Sequence, residues 1–357
     1  MSQAPNNEKP PPPPRRRGRR FPIWPFVLAG VLAALGMGGV WAWSLTLPFY
    51  ALSPGPVEQV IDLISIEEGE VEVFPPEGDL YFLTVQLQPV NVYEYVEAWA
   101  DPRVDVVERE AVRPQDITDE QMRELNLDLM EESKTFAVCV ALNHLEIEAR
   151  CEGQGVAVGG LVEGVPAAQV LQKDDVIVAI DGEPVEVATD AVAVIGQREI
   201  GETLTLTVLR EGRRMEVEVE LVEHVEEPGR PMVGFLPETV ALEVDLPFEV
   251  QIDSHNVGGP SAGMMYALGV IDLLSEGSLT AGHLVAGTGT ISLDEEVGEV
   301  GGVRQKVFAA RASGAEIVLV PEGNYQEALG AADGQIQVVA VQNLDDALAF
   351  LATLEQS

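Results

Sequence analysis

The hydrophobic positions divide the first half of the chain into regions of different texture. Residues 26 to 47 form an apolar run of 22 residues without a charge, which as a helix would span roughly 33 Å. Residues 50 to 114 alternate short apolar runs with Pro and Gly breaks, and this pattern predicts strands at 80–85 and 91–96. Residues 118 to 145 have apolar positions near helical spacing behind a capping-box pair, Thr118 and Gln121, which predicts a helix.

Apolar strands and helices alternate from residue 232 to the end. A helix is predicted to begin after the double glycine at 301–302 and to end at Gly314. Strands predicted at 316–321 and 336–341 alternate with helices predicted at 325–331 and 343–354. This alternation predicts an α+β domain of α/β-like character.

The charges before the apolar run favour a membrane anchor. Residues 1 to 21 hold five consecutive prolines and five arginines, a composition that predicts a disordered tail. Positive charge ahead of the run places this tail in the cytoplasm and everything after residue 48 outside. A cleaved signal peptide is the alternative, but Trp41 and Trp43 do not fit its small-residue cleavage site. We therefore expect one transmembrane helix over 22–48, with the lipid bilayer as a partner.

The rest of the chain is strongly acidic. Of 21 basic and 59 acidic residues, 15 basic and 58 acidic ones follow residue 47. Such a surface repels nucleic acid, so we expect no nucleic-acid partner. The four histidines lack metal-ligand spacing and two cysteines are too few for a zinc site, so no metal is expected. For Cys139 and Cys151, one disulfide and two buried thiols stay open as alternatives.

The candidate chemistry lies in a glycine-rich turn before an apolar segment. The turn comprises Asn256, Val257, Gly258, Gly259, Pro260, Ser261, Ala262 and Gly263. Glycine permits positive φ and close backbone approach, and proline is preset for a first helical turn, so Ser261 is expected at a helix N-terminus. Backbone N–H groups gather there and would stabilise an oxyanion, which predicts that Ser261 is a nucleophile. The same geometry suits phosphate binding, which stays open at this point.

Three residues are candidates for the base that activates Ser261. His255 and Asp253 lie close to Ser261 in the sequence and could complete a Ser-His-Asp triad. Residues of one glycine turn cannot easily point at one another, however, so we expect His255 to be an exposed loop histidine. His283 has only its identity in its favour. Lys306 is one of four lysines and lies on the helix predicted after residue 302. A free lysine titrates near about 10.4, but burial beside apolar neighbours would let it accept a proton, which an arginine does not do.

Residues 153 to 222 contain an ordered set of short motifs. The first motif comprises Gly155, Val156, Ala157 and Val158. A Val-Pro-Ala-Ala segment at 165–168 and an apolar run at 171–182 follow it. This order resembles a PDZ domain of the bacterial type, with Asp174 where that family usually has glycine. The resemblance implies that the first motif forms the loop and strand to which a peptide adds as a further strand. A small β domain that serves only as a spacer is the alternative.

Two motifs near the C-terminus resemble the protease domain of the Lon family. They are the turn at 259–263 and the block at 301–306, with Thr288 in a Gly-Thr-Gly-Thr segment between them. The resemblance implies a Ser-Lys dyad in which Ser261 attacks and Lys306 is the general base, while Thr288 holds the lysine by a hydrogen bond. It also implies that Gly259, Pro260 and Ala262 support the nucleophile.

The chain departs from the Lon family at two positions. Gly258 and Thr290 stand where many members carry aspartate and glutamate, which bears on the substrate side and leaves the dyad unchanged. The chain has no G-x-x-x-x-G-K-[ST] motif, so no ATP-driven motor and no cofactor are expected. Taken as a whole, the chain resembles the membrane-bound, PDZ-containing Lon-like proteases of bacteria. That resemblance leaves ring-shaped homo-oligomers open and implies a bacterial cell membrane with the catalytic and PDZ domains outside the cytoplasm.

The sequence therefore predicts an ATP-independent, membrane-anchored serine endopeptidase that cleaves extended or unfolded polypeptides. A catalytically inactive PDZ adaptor is the alternative, and a GHMP-type phosphate-binding enzyme is a weaker one. The predicted regions are a tail (1–21), an anchor (22–48), an N-terminal extracytoplasmic region (49–150), a PDZ domain (151–225) and a protease domain (232–357). Because the last region is shorter than a whole Lon protease domain, we expect strands at 70–96 to complete its sheet, with the PDZ domain as an insertion.

Overall fold

The structure is a computed structural model, and it describes residues 24–67, 71–109, 118–162, 164–223, 231–255 and 257–354. The predicted tail over 1–21 and Asn256 of the glycine-rich turn lie outside these residues.

Within those ranges the structure contains eight α-helices and eighteen strands. The helices are α1 (Trp24–Ser44), α2 (Val92–Ala100), α3 (Asp119–His144), α4 (Ala188–Gly196), α5 (Gly263–Leu274), α6 (Val303–Ser313), α7 (Tyr325–Ala332) and α8 (Leu344–Leu351). The strands are β1 (Thr46–Gln59), β2 (Ile64–Ile66), β3 (Asp79–Asn91), β4 (Asp105–Glu108), β5 (Arg150–Glu152), β6 (Val156–Leu161), β7 (Val176–Ile180), β8 (Glu183–Pro184), β9 (Thr203–Arg210), β10 (Arg213–Glu220), β11 (Val222–Glu223), β12 (Pro231–Met232), β13 (Phe235–Thr239), β14 (Glu243–Asp245), β15 (Val250–Ile252), β16 (Leu284–Gly287), β17 (Ile317–Pro321) and β18 (Gln337–Val341).

Helix α1 occupies most of the apolar run that is predicted to cross a membrane. Among the helices that the structure describes, however, none is both long enough and apolar enough to cross a membrane. The predicted transmembrane helix over 22–48 is therefore unconfirmed.

A six-stranded mixed sheet organises one body of the molecule. Its strand order is β18-β17-β16-β3-β1-β4. Strands β3, β16, β17 and β18 are parallel to one another, while β1 is antiparallel to both β3 and β4. Strands from before and after residues 150–239 thus share one sheet, and those residues lie between β4 and β16 in the sequence.

Helices cover both faces of this sheet. Helices α3, α5 and α8 contribute to the buried cluster that contains Phe82, whereas α6 and α7 contribute to the cluster that contains Leu83. The two residues are successive on β3, and successive side chains of a strand point to opposite faces. The ring of Phe82 packs against the ring of Tyr266 at 5.4 Å, centroid to centroid, and this contact joins α5 to the sheet. The result is a three-layered body with α5 buried along almost its whole length.

One predicted strand is wrong and one predicted helix is confirmed. Residues 91–96 are not a strand, because β3 ends at Asn91 and α2 begins at the next residue. The Asn91 side chain accepts hydrogen bonds from the N–H groups of Tyr93 and Glu94, and the Glu94 carboxylate accepts one from the Asn91 N–H at 2.8 Å. This capping box fixes a helix start despite the strand-forming residues that follow it. The predicted helix at 118–145 is α3, with Thr118 as its capping residue.

A second sheet forms a separate hydrophobic core from residues 156–239. Its strand order is β10-β9-β7-β6-β13, with β8 beside β7, and helix α4 belongs to the same cluster of buried side chains. Asp174 adopts φ of 68°, so this position keeps the left-handed conformation that favours glycine. A disulfide joins Cys139 of α3 to Cys151 of β5, and both cysteines belong to the buried cluster of the three-layered body that contains Phe82.

Candidate active site

Ser261 lies in a turn directly before the buried helix α5. The helix begins at Gly263 with Ala262 as its N-terminal capping residue, so Ser261 is two residues ahead of the first helical position. The Gly263 N–H donates to the Pro260 carbonyl at 3.3 Å. Pro260 therefore precedes the helix, and the prediction that it lies in the first helical turn is wrong. Ser261 is half-buried at the helix start, where backbone N–H donors gather.

Helix α3 holds this turn from the side. The Gly259 N–H donates to the Asn126 carbonyl at 2.7 Å, and the Ser133 hydroxyl donates to the Pro260 carbonyl at 3.0 Å. A Cβ added at Gly258 would lie 2.9 Å from the Cβ of Asn126, closer than real Cβ contacts. The space that an aspartate would need at position 258 is therefore filled by α3, which explains the glycine in this chain.

The segment after β16 holds Ser261 from the other side. The Gly289 N–H and the Thr288 hydroxyl both donate to the Ser261 carbonyl, at 2.9 and 3.0 Å. The Met264 N–H donates in return to the Gly289 carbonyl at 3.2 Å. Because residues on both sides take part as donors and acceptors, any shift of the turn relative to the end of β16 would break these hydrogen bonds.

Lys306 reaches the same place from helix α6. The helix runs Val303–Ser313 between two left-handed glycines, Gly302 and Gly314, which confirms the predicted helix and its end. A Cβ at Gly302 would lie 2.7 Å from a Val85 methyl group, so this helix start packs closely on β3. Lys306 is 3% exposed, and its Nζ donates to the Thr288 hydroxyl oxygen at 3.0 Å.

A chain of two hydrogen bonds therefore links the lysine amine to the backbone of Ser261. A threonine hydroxyl has one proton and two lone pairs. Since Thr288 gives its proton to the Ser261 carbonyl, its oxygen is left to accept from Lys306. Thr288 is 0% exposed, so its hydroxyl and the bond from Lys306 lie away from water, where hydrogen bonds are electrostatically stronger. The arrangement fixes the position of a buried amine relative to the candidate nucleophile.

The strand that the sequence predicts to bind peptide has no open edge. Strand β6 pairs with β7 on one side and with β13 along its length on the other. Val156 and Val158 are 0% exposed and belong to the core, and the Gly155 N–H donates to the Glu186 carbonyl. The prediction that Gly155, Val156, Ala157 and Val158 accept an added strand is therefore wrong. Its physical reason is the long-range pairing of β6 with β13.

Strand β13 is the open edge next to helix α4. In the described part of this sheet, β13 and β10 are the two outer strands. The Ala188 N–H at the start of α4 donates to the Thr239 hydroxyl at the end of β13, at 2.9 Å. Gly234, just before β13, adopts φ of 92° against Val165. The sequence signal that could have revealed β13 is Gly234, a glycine flanked by apolar residues directly before a short strand. The same pattern begins the motif at 155–158.

Two half-buried carboxyl groups, those of Glu132 and Asp190, lie where the two bodies meet. Burial raises the pKa of Glu132, although the Thr239 hydroxyl donates to its carboxylate at 2.5 Å and so favours the charged form. Burial likewise raises the pKa of Asp190, whose carboxylate accepts from the N–H groups of Glu186 and Val187. The boundary between the two bodies is thus acidic and partly shielded from water.

Comparison with known proteins assigns the two bodies. Residues 127–221 match the family model of the PDZ domain, and residues 249–353 match that of the Lon protease (S16) C-terminal proteolytic domain. The chain thus combines a PDZ domain with a Lon-type protease domain. The fold is mixed α and β. The PDZ match begins inside α3 and ends before β13, and the protease match begins at β15.

Relatives of the protease domain are Lon proteases. The chain is 35% identical over 116 residues to Lon protease 2 of Bacillus subtilis, a match that covers 32% of this chain and 20% of that protein. It is 34% identical over 96 residues to the archaeal Lon protease of Archaeoglobus fulgidus, which covers 26% of this chain and 15% of that one. The chain spans a fifth or less of the length of these relatives. Together with the family match, they support a serine-type peptidase.

Solved structures with likeness to the chain are PDZ domains. One is the PDZ domain of an SdrC-like protein of Listeria monocytogenes, 25% identical, which covers 24% of this chain and 87% of that one with a TM-score of 0.23. Another is the corresponding domain of a Listeria innocua protein, 28% identical, which covers 23% and 92% with a TM-score of 0.22. At such TM-scores the family match, and not these structures, identifies the PDZ domain.

The other predicted candidate bases lie apart from the Lys306 contacts. The His255 side chain is 68% exposed and pairs with Asp253 of its own turn, which confirms an exposed loop histidine. His283 pairs with Glu316 at 2.9 Å and directly precedes β16. Thr288 directly follows β16, so five residues at about 3.3 Å each, roughly 16 Å, separate His283 from it. Neither histidine takes part in the contacts that join Ser261, Thr288 and Lys306.

One group of side chains in the described ranges has ligand atoms close enough for a metal ion. The oxygen and nitrogen atoms of His144, Glu295 and Asp345 lie within 4.8 Å of one another. His144 Nδ1 already faces the Glu295 carboxylate at 3.5 Å, and Asp345 is exposed. The ion pair accounts for the two less exposed members, so the group gives no reason to assign a metal.

Proposed function

We propose that this chain is a serine endopeptidase in which Ser261 is the nucleophile and Lys306 is the general base. The observation that carries the proposal is the buried Lys306 amine, which is tied through Thr288 to the backbone of Ser261. A base must lie within reach of the proton that it takes, and geometry comes before proton affinity in this test. Removal from water disfavours the charged form of an amine, which prepares it to accept a proton.

The reaction that follows is acyl-enzyme proteolysis. The Ser261 hydroxyl attacks a peptide carbonyl while Lys306 takes its proton, and the lysine then passes the proton to the leaving amine. Backbone N–H groups at the start of α5 stabilise the oxyanion, supported by the positive end of the helix dipole. In the second half of the reaction Lys306 takes a proton from a water molecule that attacks the acyl carbon, and it passes this proton to the Ser261 oxygen as the ester bond breaks.

The substrates that we propose are extended or unfolded polypeptides, cleaved without ATP. The absence of a P-loop motif from the sequence supports this, because nothing in the chain would unfold a substrate. The PDZ domain contributes by binding a peptide as an added strand on the open edge of β13, beside α4. Attachment to a membrane, location outside the cytoplasm and assembly into rings stay predictions from the sequence.

The test is cleavage of a fluorescently labelled unfolded protein by the full-length chain and its variants. Ser261→Ala is expected to reduce cleavage to background, and Lys306→Arg to reduce it by at least about 100-fold. Lys173→Arg and Ser313→Ala are matched controls, because both residues are exposed and outside the site; they are expected to cleave like the wild type. Circular dichroism checks that every variant is folded.

The outcome against the proposal is near wild-type cleavage by either site variant in its folded form. A wild-type protein that binds unfolded peptides but cleaves none would instead favour the inactive PDZ adaptor. Labelling by an ATP analogue at the turn before α5 would favour the phosphate-binding alternative.

A further inference from the structure

One cleft runs between the PDZ domain and the protease domain. Its volume is about 1020 Å³, at the upper limit of the roughly 300–1,000 Å³ of small-molecule pockets. Val192 of α4 and Pro237 of β13 line it on the PDZ side. Ser133, Pro260 and Thr290 line it on the protease side. The open edge of β13 and the residue before Ser261 therefore face the same space.

Helix α3 fixes the distance between these two ends of the cleft. Glu132 accepts a hydrogen bond from Thr239 at the end of β13, and the next residue, Ser133, donates to the Pro260 carbonyl. Two adjacent residues of one helix thus hold the peptide-binding edge and the nucleophile turn. Because adjacent residues of one helix make both contacts, we expect a few residues of extended chain, at about 3.3 Å each, to connect the two sites.

The walls of this cleft are acidic. Among the described residues that line it there are six acidic side chains and no lysine or arginine, the six being Asp105, Glu132, Glu296, Glu299, Glu322 and Glu327. A cleft lined by charge of one sign focuses its field and attracts segments of opposite charge. Asp105 is neutralised by Arg304 at 3.0 Å, but Glu296 and Glu299 have no basic partner among the ion pairs of the described residues. The occupant that fits is a segment with net positive charge.

We propose that one substrate chain occupies both domains at once. A positively charged, extended segment pairs with the edge of β13, and the residues adjoining it pass through the cleft to Ser261. The PDZ domain thereby delivers the polypeptide that it binds, and does not act on a separate molecule. This inference rests on the proposed endopeptidase function.

The first test compares short and long peptides with the full-length enzyme. The short probe is an eight-residue fluorogenic peptide around the main site at which the enzyme cuts the unfolded protein. The long probes carry six more residues of lysine and valine at one end or the other. At least one long probe is expected to exceed the short one in kcat/KM by about tenfold or more, because the second contact becomes intramolecular. A glutamate-for-lysine version is expected to lose this advantage.

Two matched variants locate the advantage in the cleft. Val192 and Met215 are apolar PDZ residues with side chains of nearly equal exposure, 40% and 39%, but only Val192 lines the cleft. Val192→Asp is expected to bring the ratio of long to short probe to about one, whereas Met215→Asp, on the opposite edge strand β10, keeps it. Equal ratios in the two variants would overturn the proposal.

Addition of the six-residue segment as a separate peptide separates delivery from activation. One shared cleft predicts that the free segment competes with the long probe and slows its cleavage. Faster cleavage would show that the PDZ domain acts on the protease from a distance, and the proposal would be wrong.

A failure of the proposed function is distinguishable from a failure of this inference. If the wild type cleaves no probe, fluorescence anisotropy of the labelled long probe with the Ser261→Ala protein still decides. The Ser261→Ala protein is then combined with either Val192→Asp or Met215→Asp. Weaker binding of the long probe to the protein with Val192→Asp supports the shared cleft, and equal binding to both proteins contradicts it.

Discussion

The turn that carries Ser261 and the edge strand β13 are built alike, but the sequence reveals them very differently. Each consists of a glycine with positive φ, Gly259 or Gly234, shortly before a regular element. The turn is identified by its own residues, because serine, glycine and proline carry the chemistry locally. The edge is identified only by what lies beside it, since a strand is open or closed according to its neighbours.

This difference separates two kinds of functional residue. Nucleophile and base are recognised by residue type, and their contacts follow from the fold that surrounds them. A strand edge has no chemistry of its own. Strand β6 cannot bind a peptide as an added strand, because its edge already pairs with β13. Variants of residues around Ser261 test whether the turn depends on distant parts of the chain as strongly as the edge does.

Among changes to residues around Ser261 and Lys306, the largest effect is expected from loss of the Thr288 hydroxyl between them. Thr288→Val keeps the shape of the side chain but removes both hydrogen bonds. We expect kcat for an unfolded substrate to fall by about 100-fold with little change in KM, since the residue positions the base and does not bind substrate. Thr288→Ser is expected to restore most of the rate. Thr207→Val, at a buried threonine of the PDZ sheet, is the control, and an equal loss there would contradict a specific role of Thr288.

An intermediate effect is expected where α3 meets the turn. Gly258→Ala places a Cβ 2.9 Å from Asn126, and such overpacking costs about 1–3 kcal/mol. Gly330→Ala in α7 is the matched change, because no atom lies within 4 Å of the added Cβ, and it is expected to stabilise by up to about 1 kcal/mol. Urea denaturation measures both. Equal stabilities would show that α3 does not constrain the turn.

The smallest expected effect concerns a buried carboxyl group of α5. Burial raises the pKa of Asp272, whose carboxylate accepts only the Leu279 N–H among the hydrogen bonds of the described residues. A folded-state pKa above the unfolded value gives stability that is present at low pH and lost as the pH rises through the folded pKa. Asp272→Asn keeps the acceptor without the charge, so its Tm should exceed that of the wild type at pH 8 and approach it at pH 4. The exposed Asp245→Asn is the control; a pH-independent difference for Asp272→Asn would contradict the assignment.

Local signals in the sequence predict several elements well and fail at particular places. The capping pair at Thr118 and the glycines around α6 predict α3 and α6, because such signals act within a few residues. Asn91 with Glu94 is an equally local signal, and it is missed because strand-forming residues follow it. The contact of Asn126 with the turn could not be predicted, since more than a hundred residues separate them.

Labelling of the folded, full-length protein shows whether Lys306 activates Ser261. A serine-directed acylating probe, followed by mass spectrometry of the peptides, reports which serine reacts. If Lys306 is the base, the probe labels Ser261 in the wild type and in Lys173→Arg, and it no longer labels Ser261 in folded Lys306→Arg. Labelling of a different serine, or undiminished labelling of Ser261 in Lys306→Arg, would contradict it.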